Sequence, residues 1–350
     1  MEQSGFNKGS FFKRCSWKEV ALLLVVVCFC LGISECAVRL VGRYNLDGEF
    51  NFRGHRIRPY RSPVSMVANE IARFDAAATS YLVADSQLGW KIANSAVSRD
   101  GKFHSNSLGI RGPSNQTISK SQGTIRIGLF GDSFIHSDEV FDNQTLSFFL
   151  SQYLSKPYKV EVFNFGVPGY GNDQAYLRWK YYGSQFNLDY VLIGLQFENC
   201  KRNLNILRPL YFIESTIPFS KPRFIIGSNQ SLNLINYPTI NYRELPKILS
   251  NLDQWDLKAY EHFYIPEDYS SSLIFSNVRL WGVVNSYLKG ADDNANFYSM
   301  SSESVRLFLL ILEKFYREAS IQSKVLCLHL PTRPDLEKKI AGQDYNYEKV

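Results

Sequence analysis

The 350-residue sequence predicts an α/β protein in which a parallel β-sheet carries helices on both faces, preceded by an N-terminal transmembrane helix. Three observations support this fold class. Short apolar segments alternate with segments of helical periodicity, as in three-layer α/β/α sandwiches. A long uncharged stretch lies close to the N-terminus. The composition, 45% hydrophobic and 21% charged, is that of a chain with a folded core.

The uncharged stretch covers residues 20–34 and follows four basic residues. It is shorter than the roughly 20 residues that span a bilayer, but it extends to Val38 if Glu35 lies at the headgroup level. Two interpretations of this segment remain: an uncleaved signal anchor over residues 19–41 and a cleaved signal peptide. Glu35 stands where cleavage requires a small residue, which favours the anchor. We then expect residues 1–18 to be a cytoplasmic tail and the main domain to be extracytoplasmic.

Cysteines and charges exclude several classes of protein. Six cysteines occur without a Cys-x-x-Cys pair, so neither a disulfide scaffold nor a zinc module is predicted. We expect no metal and no cofactor, and the scattered basic residues predict no nucleic-acid partner. Cys200 and Cys327 belong to the exported part. They could pair there, but their positions near predicted strand ends favour buried thiols.

The exported chain divides into an irregular lead-in, residues 42–119, and a regular domain, residues 120–350. The lead-in contains Leu-Gly-Trp at 88–90 and Asn-Ser-Leu-Gly-Ile-Arg-Gly at 106–112, and we expect it to pack on the main domain. An insertion at about 205–300 is expected to cover the carboxyl edge of the sheet. Its predicted strands lie at residues 210–213, 224–226 and 232–235.

In the main domain, each strand is a short apolar run, closed in three cases by Gly131, Gly166 or Pro331. The last helix has strong amphipathic spacing and Ser302 as its candidate N-cap. The predicted strands cover residues 125–130, 160–165, 190–195 and 325–330, and the predicted helices cover residues 143–154, 173–186 and 303–319.

In an open parallel sheet, ligands bind beyond the carboxyl ends of the strands. Ser133, Gly169 and Asn199 follow the first three strands. A serine at a strand-to-helix turn can expose its hydroxyl, a glycine amide can approach a substrate oxygen closely, and an asparagine amide can donate to the same oxygen. Together they could form an oxyanion hole. Asp132 is expected to fix the turn and Asp173 to cap the next helix.

The segments that contain Ser133, Gly169 and Asn199 resemble, in the same order along the chain, the sequence motifs of the SGNH/GDSL esterase and acyltransferase superfamily. The resemblance covers about residues 123–331 and includes Gly-Asp-Ser at 131–133, Asn-x-Gly-x-x-Gly-Tyr-Gly at 164–171 and Asn199. It implies a flavodoxin-like α/β/α sandwich with five parallel strands. It also implies that Ser133 is the nucleophile and that Ser133, Gly169 and Asn199 donate to the oxyanion. The lead-in pieces look like those of membrane-anchored bacterial members.

Two features depart from the family pattern. Gly-x-Asn-Asp is replaced by Phe-Glu-Asn-Cys at 197–200, and the family's Asp-x-x-His, which supplies the catalytic acid and base, does not occur. We expect the chain to be a fragment that lacks this block; a pseudoenzyme or a base from elsewhere are the alternatives. His136 could approach Ser133, but a partly exposed histidine at a helix start is the commoner case. His329 is expected to be buried within a strand.

The leading hypothesis is an extracytoplasmic serine esterase that hydrolyses an acyl ester, such as an O-acetyl group on a glycan. The alternatives are a polysaccharide O-acetyltransferase on the same scaffold and a catalytically inactive SGNH-like binding protein. The expected partners are the acylated substrate and, through the N-terminal helix, the membrane. Arg202 and Arg208 either hold an anionic substrate or are solvated or paired structural arginines.

Overall fold

The computed structural model describes residues 16–77, 79–156, 158–269, 277–345 and 347–348, without the side chains of 290–296. Helix α1, Trp17–Val41, has 25 residues, and Ser16 caps it in a reciprocal pair of hydrogen bonds with Glu19. Its most apolar window of 18 residues has a mean hydropathy of 2.5, and none of these residues is buried against the rest of the protein. The predicted N-terminal helix is therefore confirmed as long and apolar enough to cross a membrane. Most of the predicted tail lies outside the described residues.

The lead-in contains two small antiparallel sheets and one helix that was not predicted. The elements are β1 (Arg43–Tyr44), β2 (Phe50–Phe52), β3 (His55–Ile57), α2 (Val64–Ala76), β4 (Leu82–Asp85) and β5 (Gly89–Ile92). Trp90 is fully buried in the same cluster as Phe130 and Phe163 of the main sheet. The lead-in thus contributes to the main core.

The remaining elements follow in chain order. They are β6 (Thr124–Phe130), α3 (Ser133–His136), α4 (Leu146–Leu154), β7 (Lys159–Asn164), α5 (Asn172–Arg178), β8 (Tyr190–Leu195), α6 (Asn199–Arg202), α7 (Arg208–Tyr211), β9 (Arg223–Ile226), β10 (Leu232–Ile235), α8 (Leu245–Ser250), α9 (Pro266–Tyr269), α10 (Arg279–Phe297), α11 (Glu303–Ala319), β11 (Lys324–His329) and α12 (Arg333–Ile340).

The main sheet confirms the predicted parallel α/β architecture. Its four strands are all parallel, in the order β11-β8-β6-β7, and they lie within one residue of the predicted strands. Side chains alternate between the two faces of each strand. On one face, Phe130 and Ile193 pack with α5 and α11. On the other, Leu129 and Leu192 pack with Ile135 and with α4.

Two helix predictions have different outcomes. Helix α11 has the predicted bounds, and Ser302 Oγ accepts the N–H of Val305 at 3.3 Å, as expected of its N-cap. The helix predicted over 173–186 is interrupted. Regular α-helix ends at Arg178, and the chain continues through a π-helical turn at Trp179–Gly183 and a 3₁₀ turn at Ser184–Phe186.

In the insertion, the hairpin of β9 and β10 confirms two of the three predicted strands. The strand predicted at 210–213 is wrong, because Leu210 and Tyr211 belong to α7. Leu210 is buried with Leu245 and Leu249 of α8, so an apolar run that looks like a strand is the buried face of a short helix.

Strand β11 corrects two expectations. Among the described strands it pairs only with β8, so it forms an edge of the sheet. His329 and Cys327, both expected to be buried, are exposed because this edge is thinly covered. Cys200 is buried as predicted, and the two thiols are free rather than paired.

Candidate active site

Ser133 lies at the carboxyl end of β6, where the strand turns into α3. Asp132 caps this helix: its Oδ1 accepts the N–H of Phe134 at 2.9 Å. The bond holds the turn, so Asp132 has the structural contact that the sequence suggested. Burial raises the pKa of the Asp132 carboxyl, although the charge of Arg202, the Phe134 N–H and a side-chain hydrogen bond with Asn199 oppose this effect.

The loop after β7 lies directly against α3. The N–H of Val167 donates to the carbonyl of Gly131 at 3.2 Å. A Cβ on Gly166 would lie 2.4 Å from the backbone nitrogen of His136, so only glycine fits at this crossing. The loop after β7, which contains Gly166 and Gly169, is thereby held beside the turn at Ser133.

Gly169 itself has a φ of +79°, in the left-handed region that disfavours side chains. A Cβ here would lie 3.4 Å from Trp90 Cζ2 and 3.6 Å from Arg208 Cζ. Both Gly169 and Ser133 are partly exposed. Their backbone groups can therefore be reached from solvent in the part of the site that is described.

Asn199 begins α6 after β8, and its side chain is 1% exposed. Its side chain hydrogen-bonds the carboxyl of Asp132. The segment after β8 therefore lies beside the turn at Ser133. Arg202, one turn later, links all three loops: its Nη1 lies 2.9 Å from the carbonyl of Tyr170 and 3.4 Å from Asp132 Oδ2. The structure thus gathers the three predicted site residues at one edge of the sheet.

Three polar groups at this edge make no hydrogen bond with any described residue. They are the backbone N–H of Ser133, its Oγ and the backbone N–H of Gly169. Because Ser133 and Gly169 are partly exposed, water or a ligand can accept from these amides. Two unbonded amides and one unbonded hydroxyl, carried by neighbouring loops, are the arrangement that a bound carbonyl oxygen would complete.

His136 differs from both expectations, since it is neither partly exposed nor turned towards Ser133. Its ring is fully buried, with Nδ1 2.5 Å from Asp138 Oδ1 and Nε2 2.8 Å from the hydroxyl of Tyr81. Burial lowers the pKa of His136 in spite of the neighbouring carboxylate. Both ring nitrogens are occupied, so His136 acts as a packed link to the lead-in.

No histidine bonds the hydroxyl of Ser133 within the described ranges. His104 Nδ1 lies 2.8 Å from Asp142 Oδ2, on the lead-in side. His329 lies at the carboxyl end of β11, with Nε2 3.4 Å from the hydroxyl of Tyr347 and its ring against Phe197. The geometry therefore provides a hydroxyl and oxyanion donors without assigning a base.

A cavity of about 510 Å³ adjoins the site, in the size range of small-molecule pockets. Glu198, Arg202 and Arg208 line it together with Phe212 and other residues. A second cavity, of about 530 Å³, lies between the lead-in and α4. Neither cavity is lined by Ser133, Gly169 or Asn199. Arg202 of the first cavity, however, contacts Asp132 and the carbonyl of Tyr170, which adjoin Ser133 and Gly169. The first cavity is therefore the candidate substrate pocket.

The sequence did not indicate how closely the lead-in supports the site. Trp90 Nε1 donates to the carbonyl of Pro168 at 2.9 Å, and Tyr170 donates its hydroxyl to the carbonyl of Trp90 at 2.5 Å. Arg111 donates to the carbonyls of His136 and Ser137, both at 2.7 Å. The Leu-Gly-Trp and Asn-to-Gly segments were visible as motifs, but only the fold shows that they support Gly169 and the end of α3.

Within the described residues, no group of three or more histidine, cysteine, aspartate or glutamate side chains could hold a metal ion. No family model matches this sequence, and no curated protein matches it. The fold and the arrangement of the site residues are therefore the basis on which function can be assigned.

Proposed function

We propose that this chain is an extracytoplasmic serine esterase of the SGNH type, which hydrolyses an acyl ester such as an O-acetyl group on a glycan. The observation that carries the proposal is the set of unbonded groups on Ser133 and Gly169, beside the buried amide of Asn199. The first amides of any helix lack an intrahelical partner, so the Ser133 N–H alone would not point to a ligand. The proposal rests on its position with the hydroxyl of Ser133, the unbonded N–H of Gly169 and the amide of Asn199 at one edge of the sheet.

The topology supports the same proposal. Numbered in chain order within the main sheet, the strands lie in the order 2-1-3-4 from β7 to β11. This is the order of the first four strands of flavodoxin-like folds, whose ligands bind at the carboxyl ends next to the first strand. The order reverses between the first and third strands, and Ser133 and Asn199 follow these two strands.

In the proposed reaction, Ser133 Oγ attacks the ester carbonyl, the carbonyl π bond opens, and the oxygen becomes an oxyanion. The amides of Ser133 and Gly169 donate to it. Asn199 has two N–H groups; one can hold Asp132 while the other donates to the oxyanion. Each such donor contributes about 3–4 kcal/mol of transition-state stabilisation in known enzymes. The Ser133 proton passes to solvent water, because the described residues place no base on the hydroxyl. The oxyanion then re-forms the carbonyl as the C–O bond to the alcohol breaks, and the leaving alkoxide takes a proton from water. A second water attacks the acyl-serine carbonyl, which releases the carboxylic acid and restores the Ser133 hydroxyl.

The test is Ser133→Ala in the full chain, purified in detergent and assayed with p-nitrophenyl acetate and with an acetylated oligosaccharide. We expect kcat/KM to fall by at least about a thousandfold, as it does when an activated nucleophile is removed. We also expect a fluorophosphonate probe to modify Ser133. Ser137→Ala is the matched control, since it removes a hydroxyl from the end of the same helix.

Product analysis separates the related functions. Free acetate indicates the esterase, whereas acetate on an added glycan hydroxyl indicates the O-acetyltransferase. Activity that survives in Ser133→Ala would overturn both. A wild-type protein that neither hydrolyses esters nor reacts with the probe would support the binding protein, the second candidate, which the lack of a histidine on Ser133 in the described chain favours.

A further inference from the structure

Arg208 is a buried cation that forms no ion pair with an acidic side chain among the described residues. It is 8% exposed, and its guanidinium makes no hydrogen bond or ion pair with any described residue. Its Nε is buried and unbonded, and its neighbours are the rings of Tyr211 and Phe212, at 5.2 and 5.6 Å from Cζ. An unpaired charge is costly to bury, so a native structure rarely retains one without a purpose.

The nearby acidic groups are already engaged. Arg202 lies 3.4 Å from Asp132 Oδ2 and 3.5 Å from Glu198 Oε2. Glu198 also accepts the hydroxyl hydrogen of Tyr211. Burial and the positive charge of Arg202 together lower the pKa of Arg208 to about 10, which leaves the guanidinium charged at neutral pH. The charges of Tyr211 and Glu198 oppose this lowering of the pKa, but neither group forms a hydrogen bond or an ion pair with Arg208. In the described part of the chain, the guanidinium thus has no carboxylate within ion-pair distance.

The location of Arg208 connects it to the proposed chemistry. Its Cζ would lie 3.6 Å from a Cβ on Gly169, one of the proposed oxyanion donors. It also lines the cavity of about 510 Å³, whose lining residues include three basic side chains and one acidic side chain. The aromatic residues of this cavity, Phe212, Phe263 and Phe297 among them, provide apolar walls around the charge.

We propose that the Arg208 guanidinium binds a carboxylate of the substrate, so that the natural substrate is an acyl ester on an acidic molecule such as a uronic-acid glycan. The ester part of this inference rests on the proposed function, whereas the carboxylate site does not. Arginine is suited to this role because its planar fork binds a carboxylate through two parallel hydrogen bonds.

The first experiment measures binding without catalysis. The full chain carrying Ser133→Ala is titrated in detergent with glucuronate, with glucose and with glucose 1-phosphate. We expect glucuronate to bind at least tenfold more tightly than glucose, and Arg208→Gln to abolish this preference. Arg73→Gln, which removes the same charge from exposed helix α2, should retain it. Arg208→Lys should retain part of it, and it remains informative if Arg208→Gln fails to fold.

The second experiment measures specificity. For acetylated methyl glucuronoside against acetylated methyl glucoside, we expect Arg208→Gln to lower the ratio of kcat/KM values at least tenfold. Equal affinity for glucuronate and glucose, or tighter binding of the sugar phosphate, would overturn the carboxylate assignment even in an active esterase. A glucuronate preference that depends on Arg208 in a protein without esterase activity would support this site and refute only the proposed reaction.

Discussion

Asp173 and Lys221 form an ion pair whose side chains are 0% and 1% exposed. Asp173 was expected to cap the helix after the glycine loop, but Gly171 is the N-cap of α5 and Asp173 is the second residue of the helix. Its Oδ1 accepts the N–H of the adjacent Gln174 at 2.7 Å. The ion pair with Lys221, across 48 residues of sequence, is a contact that only the folded chain reveals. It fastens the insertion to the loop that carries Gly169.

We expect Asp173→Asn to lower the free energy of unfolding by about 3–5 kcal/mol, because it leaves the Lys221 ammonium buried without its partner. Urea denaturation of the full chain in detergent measures this change. Glu337→Gln, which breaks an ion pair whose side chains are 89% and 60% exposed, should cost far less.

The double variant Asp173→Asn/Lys221→Met tests the cause of that loss. Lys221→Met removes the ammonium that Asp173→Asn leaves buried without its partner, so the double variant should be more stable than Asp173→Asn alone. Comparison with the two single variants gives the coupling energy between the two positions. Two results would contradict a role for the buried pair. One is a loss of unfolding free energy in Asp173→Asn no larger than the loss in Glu337→Gln. The other is a double variant that loses more unfolding free energy than Asp173→Asn and Lys221→Met lose in sum.

Residue types at the site were predictable from local sequence, whereas their environments were not. Ser133, Gly169 and Asn199 follow apolar strands, and strand ends can be identified from a few neighbouring residues. The burial of His136 depends on Tyr81, 55 residues earlier in the chain. The unpaired state of Arg208 likewise depends on which carboxylates the fold brings near it.

At the scale of elements, the predictions succeeded where the local signal was complete. Helix α11 has an N-cap at Ser302 and regular apolar spacing, and both of its ends were predicted. Helix α2 was missed because Pro63 at its N-cap makes no side-chain capping bond, although Val64, Val67, Ile71 and Phe74 have the spacing of one helix face. Its buried residues, Val67 and Ile71, pack against the insertion, which is distant in sequence.

Helix α10 contacts the C-terminal part of α1, the helix that is long enough to cross a membrane. Glu35 Oε1 accepts the N–H of Arg279 at 2.9 Å, and its Oε2 accepts the N–H of Leu280 at 2.7 Å. The carboxylate therefore caps α10, a contact that the local sequence around Glu35 did not indicate. Val38 packs in a small cluster with Leu280 beneath this cap.

We expect Glu35→Ala to expose the first-turn amides of α10 and to destabilise that turn by about 1 kcal/mol, as for other N-cap losses. Hydrogen–deuterium exchange of the full chain should then be faster at Arg279 and Leu280. Glu19→Ala is the control, since Glu19 caps α1 and does not contact α10. Unchanged exchange in Glu35→Ala would contradict the cap.

At the scale of the whole molecule, we expect the main domain to be extracytoplasmic, and an accessible thiol can test this. Basic residues precede α1, including Lys13 and Arg14, and such residues remain on the cytoplasmic side. Cys327 is a free, exposed thiol on β11, while Cys200 is buried. Cys327 can therefore report which side of the membrane the sheet occupies.

We expect a membrane-impermeant maleimide to label Cys327 in sealed spheroplasts that express the full chain. Partial burial raises the pKa of this thiol, and since the thiolate is the reactive form, labelling should be faster at pH 8.5 than at pH 7. Cys327→Ser should remove that label in sealed and in lysed cells. Labelling of Cys327 that occurs only after lysis would contradict an extracytoplasmic domain, and with it the access to an external acylated glycan that the proposed esterase requires.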